Sequence, residues 1–297
     1  MNGPTSAGLN WELINKELSE DKITILVTNG FLSAGKVIDS KNVIFLVNDP
    51  LIEVALNGDI GDINSDETRN FLEKNYGFDN SHITAFSYDL KSCRILLDSK
   101  NIRVAMRSEA ICRTIFSDER VIKFNFSFFE KLLIKFSFKW HQDGSNPALL
   151  SNRLGIKTFP TESRIAKKYI NNKFFAKFWY KLNFCQTPNT FYRALDLALK
   201  LDFDEITFVG RNSQIDEWLL KTASDDHIPI EYSYFFADVS IAMKIKNFEA
   251  ILRELYYSSQ YIHMLQLIYP KRKFFSLEKS VCYKDYYSIQ YSNMYLK

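Results

Sequence analysis

Two short, unbroken apolar runs dominate the first fifty positions. Ile23-Thr24-Ile25-Leu26-Val27 stops at Thr28-Asn29-Gly30, and Val43-Ile44-Phe45-Leu46-Val47 stops at Asn48-Asp49-Pro50. Such runs lack polar alternation, which suits strands covered on both faces, as in a parallel sheet. The pattern predicts further strands at 83–86 and 102–106 and a short helix over 11–18. Downstream, Thr187-Pro188-Asn189-Thr190 reads as a helix start. An Ala/Leu pattern follows from Ala194 to Leu199 and leads into the strand-like run Ile206-Thr207-Phe208-Val209, which ends at Gly210. A helix feeding a buried strand is half of a βαβ unit. A last helix is expected over about 248–269, closed by Pro270, followed by a strand at 273–277.

The expected fold class is therefore α/β, Rossmann-like, with a mostly parallel sheet and an aromatic-rich helical insert or lid. Residues 1–123 form the first part of the α/β domain, 124–184 the insert and 185–297 the second part. In open parallel sheets, ligands sit beyond the carboxyl ends of the strands. That rule groups Thr28, Asn29, Gly30, Asn48, Asp49, Gly210, Arg211, Asn212, Ser276 and Ser280 as lining residues of one crevice. A plain strand-ending turn at Asn29-Gly30 uses the same residue types. Gly30 and Gly35 do not make a GxGxxG fingerprint, and no Walker A sequence occurs.

The insert changes the picture through its pattern of charge. Lys131, Lys135 and Lys139 recur every four residues among Phe128, Phe129, Leu132, Leu133 and Phe136, and Lys173, Lys177 and Lys181 do so beside Phe174, Phe178 and Trp179. Basic amphipathic helices with Phe and Trp lie in membrane interfaces, and an ordinary solvated helix face carries the same spacing. Lys131, Lys135, Lys173, Lys177, Trp179 and Lys181 are thus candidates for docking a membrane or a lipid-linked acceptor.

Aromatics reach 15%, with 25 Phe and 16 Tyr, more than a core requires and in keeping with a greasy lid or groove. The formal net charge of +3 is too small to indicate nucleic acid as a partner. The four cysteines, Cys93, Cys112, Cys185 and Cys282, form no CxxC pair and suit a reducing compartment. Asp49, Asp59, Asp62 and Asp66 lack EF-hand spacing, so no metal cofactor is expected. Nothing in the sequence reads as a signal peptide or a transmembrane helix. A cytoplasmic location is expected, with contact at the inner face of the membrane. Among the histidines, His227 in Asp225-Asp226-His227 and His263 in the last helix are the candidate general bases.

The order of these motifs resembles the bacterial glycosyltransferases that use CMP-activated acidic sugars, the sialyltransferases and the lipopolysaccharide-core Kdo transferases. The resemblance rests on Val27-Thr28-Asn29-Gly30-Phe31-Leu32-Ser33 and Val47-Asn48-Asp49. It continues in the Asn189-capped helix running to Gly210 and in Phe275-Ser276-Leu277-Glu278-Lys279-Ser280. It implies a CMP-sugar donor, a surface-glycan or glycolipid acceptor and metal-independent transfer of a sialic acid or Kdo. It also implies that Asn189 and the strand-end residues named above bind the nucleotide. Three places in the chain, five residues in all, depart from the family pattern. Phe31-Leu32 stands for Pro-Ser, Arg211 for an acidic residue, and Tyr256-Tyr257 where the catalytic His is expected. They keep open a catalytically inactive glycan-assembly or interaction protein of the same fold.

Overall fold

A computed structural model of the chain describes residues 8–47, 50–78, 80–106, 109–122, 174, 190–209, 230–233, 240–243, 265–277 and 290–296. The chain divides into two compact units, one of 1–123, 208–244 and 292–297, the other of 124–207 and 245–291. Small parallel sheets with helices make the described fold α/β.

The first unit begins with α1 (Trp11–Ser19), whose Ile14 and Leu18 are spaced to bury one face. The Asn10 side chain caps it by accepting from the Leu13 amide at 3.1 Å. Strand β1 (Ile25–Thr28) pairs parallel with β2 (Val43–Val47), and β2 pairs parallel with β3 (Arg103–Met106). All five residues of β2 are buried, as its unbroken apolar run requires. The segment after residue 119 extends this edge. Val121 bridges Val104 in parallel, and the Val104 amide donates to Arg120 O at 2.7 Å.

The connection from β2 to β3 is helical: α2 (Pro50–Leu56), α3 (Asp66–Tyr76) and α4 (Asn80–Asp98). Ser65 caps α3 through its hydroxyl, with Asp66 and Glu67 in the first turn where the helix dipole favours acids. Gly77 ends α3 at φ +67°, a left-handed position that glycine adopts without strain. The strand expected at 83–86 is a correction: those residues lie in the first turns of α4. The buried side chains Ile83, Phe86, Cys93 and Leu96 step by three and seven, a helical spacing that a four-residue window hides. Phe86 packs with Leu51 and Leu72, and Ile60, Ile63, Phe78 and Leu90 close over them. A short α5 (Glu109–Ile115) follows β3.

The chain between α4 and β3 is held by two charged side chains. Asp39, on the β1–β2 connection, accepts from the Ser99 hydroxyl at 2.6 Å and from the amides of Lys100, Asn101 and Ile102, each at 3.2 Å. Arg120, 9% exposed, donates Nε to Ile102 O at 2.8 Å, Nη1 to Ser99 O and Nη2 to Leu96 O, both at 2.7 Å. Its guanidinium also lies over the Phe116 ring, 4.8 Å from the centroid.

Burial pushes the Asp39 carboxyl up, but the Ser99 hydroxyl and the three amides outweigh it and hold the group below its usual value. A depressed carboxyl contributes stability that is complete above the denatured-state value and is lost as pH falls through the folded one. The loss therefore begins near pH ~4 and continues below it. Asp39→Asn is expected to lower Tm at pH 7, with the gap to the unchanged protein closing toward pH 3. Thermal melts at the two pH values check this; a gap independent of pH would assign the effect to lost packing instead.

The first unit also holds an antiparallel pair, β5 (Ile230–Ser233) with β6 (Ser240–Met243). α6 (Thr190–Lys200) leads into β4 (Glu205–Phe208), the start of a sheet ordered β4-β7-β8 with β7 (Lys273–Ser276) and β8 (Gln290–Tyr291). β7 and β8 run parallel. Leu195, Leu197, Ala198, Leu199, Phe274 and Leu277 are buried. Arg272 ion-pairs with Asp202 and Asp204, and the Lys273 amide donates to Asp204 O at 2.9 Å, so the start of β7 is tied to that of β4.

Candidate functional site

The parallel register brings the ends of the first strands to one edge. Thr28 is opposite Leu46, and Val47 is opposite Met106. At that edge the chain does not make a simple two-residue turn. Asn29–Ala34 forms a 3-10 helix that Gly35 closes at φ +62°, its amide donating to Leu32 O at 3.1 Å. Gly30, Phe31, Leu32 and Ser33 of this helix are buried. Asn29 itself takes φ +51°, a left-handed conformation that asparagine tolerates better than most residues.

The Asn29 side-chain Oδ1 is buried and has no hydrogen-bond partner. A buried amide oxygen without a donor costs about 1–3 kcal/mol. Together with the left-handed backbone, this marks a residue held in place by its surroundings against local preference, a pattern that clusters at ligand-binding positions.

The surroundings responsible are three. The Ser33 amide donates to Ser92 Oγ of α4 at 3.0 Å, and the Ser33 hydroxyl donates to Gly30 O at 2.6 Å. Ser92 is fully buried. Phe31 and Leu32 are 4% and 5% exposed, and the Phe31 ring meets Trp11 edge-on, with centroids 5.7 Å apart. Phe31-Leu32 is thus the apolar anchor of this turn. Sequence reasoning missed Ser33, Ser92 and Trp11 as its supports. Ser33 and Ser92 are 59 positions apart, and no local pattern links them.

Of the residues expected to line the crevice, Thr28 is 8% exposed, Asn29 is half-buried and Gly30 is buried, all in the first unit. Ser276 ends β7 in the second unit and is 2% exposed. Asn48, Asp49, Asn189, Gly210, Arg211, Asn212 and Ser280 lie outside the described residues, as do both candidate bases, His227 and His263. The docking candidates Lys131, Lys135, Lys173, Lys177, Trp179 and Lys181 lie outside them too. Within the second lysine stripe Phe174 is described, and it is 74% exposed.

Other chemistry is constrained at particular groups. Burial, helped by the charge of Asp89, pushes the Cys93 thiol up to about 12, so it is protonated at neutral pH and a poor nucleophile. Asp62 closes its own loop by accepting from the Asn64 amide at 3.0 Å, and Asp66 sits in the first turn of α3. Among the described residues, no group of three or more His, Cys, Asp and Glu side chains could hold a metal ion. Among them, too, no helix is long and apolar enough to cross a membrane.

No family model matches the chain, and no characterised protein or solved structure gives a significant match.

Proposed function

We propose that this protein is a glycosyltransferase that moves an acidic sugar, of the sialic acid or Kdo type, from a CMP donor to a bacterial surface-glycan acceptor. The observation that carries the reading is Asn29, a half-buried residue held in a left-handed conformation at the carboxyl end of the first parallel strand. Two features support it. The parallel order β1-β2-β3, with helices in the connection from β2 to β3, agrees with an α/β sheet whose ligands sit beyond the carboxyl ends of its strands. The motif order resembles the CMP-sugar transferases from Val27 to Ser280.

In this reading Asn29 and Asn48 hold the nucleotide, and the Arg211 guanidinium stabilises the charge on the departing CMP phosphate. The sugar passes through an oxocarbenium-like state. His227, His263 or a carboxylate takes the proton from the acceptor hydroxyl as the new glycosidic bond forms. No metal takes part. The lysine stripes draw the enzyme to the inner membrane face, where a glycolipid acceptor is presented.

The test exploits the conflict between stability and function at Asn29. Asn29→Gly removes the unpartnered oxygen and suits the left-handed backbone. It is expected to raise stability by roughly 1 kcal/mol and to weaken CMP binding about tenfold, the equivalent of one lost hydrogen bond. Thermal melts and calorimetric titration with CMP read the two effects. A lowered Tm with unchanged CMP affinity would make Asn29 a purely structural residue.

A second reading is a non-catalytic member of the same fold. Phe31 and Leu32, buried where the family has Pro-Ser, favour it, as do Arg211 and Tyr256-Tyr257. Release of CMP from CMP-Kdo or CMP-sialic acid by the purified protein separates the two.

A further inference from the structure

We propose that residues 292–296 form a clasp that, acting through α1, sets the rigidity of the 3-10 helix carrying Asn29. The clasp has two hydrogen bonds. The Asn10 amide donates to Tyr295 O at 2.8 Å within the antiparallel bridge of Leu9 with Leu296, and the Tyr295 hydroxyl donates to Glu17 Oε2 at 2.7 Å. Asn10 is also the residue that caps α1, so its backbone holds the clasp while its side chain starts the helix. Tyr295 reaches from that cap to Glu17 near the other end of α1, fixing the helix at both ends.

The opposite side of α1 holds the β1–β2 connection along its length. Trp11 packs edge-on against Phe31. Asn15 donates Nδ2 to Lys36 O at 2.8 Å and accepts from the Ile38 amide at 3.3 Å. The Leu18 carbonyl accepts from Asn42 Nδ2 at 3.0 Å. Each contact lands on the segment from the 3-10 helix to the start of β2. The helix of nine residues is therefore a strut between the clasp and the turn. All of these groups lie in the first unit. Such an arrangement transmits order because a packed helix moves as one body, so releasing one end loosens what the other side supports.

Hydrogen–deuterium exchange of the whole chain tests this, with Tyr295→Phe removing only the hydroxyl bond and Asn15→Ala breaking the strut on its other side. In Tyr295→Phe, the peptide covering 29–38 is expected to exchange about three- to tenfold faster, the equivalent of one net hydrogen bond, while the β2 peptide 43–47 is unchanged. Asn15→Ala is expected to speed exchange over 29–38 by a similar factor and to leave 292–296 as protected as before. The clasp is overturned if 292–296 loosens in Tyr295→Phe with no change over 29–38, or if 43–47 accelerates equally, which is general destabilisation. A ligand arm, which rests on the nucleotide reading, adds CMP titration: Tyr295→Phe is expected to weaken CMP binding by the same factor. Failure of the unchanged protein to bind CMP would end that reading and leave the exchange result standing.

Discussion

Replacing Arg120 by alanine is expected to lower the unfolding free energy by about 3–5 kcal/mol, because three shielded carbonyls lose a charged donor and each such loss costs roughly 1–3 kcal/mol. The guanidinium binds three carbonyls, those of Leu96, Ser99 and Ile102, and covers the Phe116 ring. Leu96 belongs to the last turn of α4, whose final carbonyls have no partner within the helix. Ile102 immediately precedes β3. Arg120 therefore caps the helix and fixes the entry to the strand with one side chain, and alanine leaves three carbonyls in a shielded site without donors. Burial depresses the guanidinium and Asp39 opposes that, yet arginine stays charged throughout the working pH range. Arg120→Lys is expected to recover less than half of the loss, because an ammonium cannot span three carbonyls set around a planar fork. Urea denaturation of the two variants measures both. Equal stability of the alanine and lysine forms would show that charge without geometry is worthless here, and a loss under about 1 kcal/mol would show that Arg120 does not hold the end of α4 to the start of β3.

Phe45→Ala is the second large effect, expected at about 3–5 kcal/mol, with the protein losing most of its marginal stability. Phe45 is the middle residue of the central strand and is fully buried. It pairs with Val27 on one side and Val104 on the other, so the sheet backbone cannot move in to fill the space. The cost combines lost transfer energy with a cavity that cannot collapse. Phe45→Leu keeps most of the volume and is expected to cost about 1–1.5 kcal/mol. Chemical denaturation checks both, and an alanine cost no larger than the leucine cost would mean that the site relaxes.

The strands read most clearly in the sequence. The run at 43–47 is apolar and buried at every position, and the run ending at Thr28 is buried at Val27 and Thr28 but half-buried at Ile25 and Leu26, so pattern identified both strands while only β2 is covered on both faces. The strands at 103–106, 205–208 and 273–276 and the helix over 190–200 were legible for similar local reasons. The strand expected at 83–86 failed because a tetrapeptide with strand-favouring Ile83, Thr84 and Phe86 outweighed a period that only shows over 83–96. At the candidate site, the sequence pointed to Thr28-Asn29-Gly30 as a turn at a strand end. It gave no sign that the turn would become a buried 3-10 helix, because its stability comes from Ser92 and Trp11, one far along the chain and one in a separate helix.

By itself, the sequence determined the α/β character, the buried nature of β2 and the place where the first strand stops. These depend on hydrophobic periodicity and turn chemistry within about ten residues, which are local properties. Only the tertiary structure decided the parallel order β1-β2-β3, the strut of α1 between 292–296 and the 29–38 segment, and the Arg120 and Asp39 ties. It alone decided that the Asn29 amide oxygen is buried without a donor. Each of these depends on which distant groups meet after the core has closed, and a buried polar atom gains or lacks its partner only then.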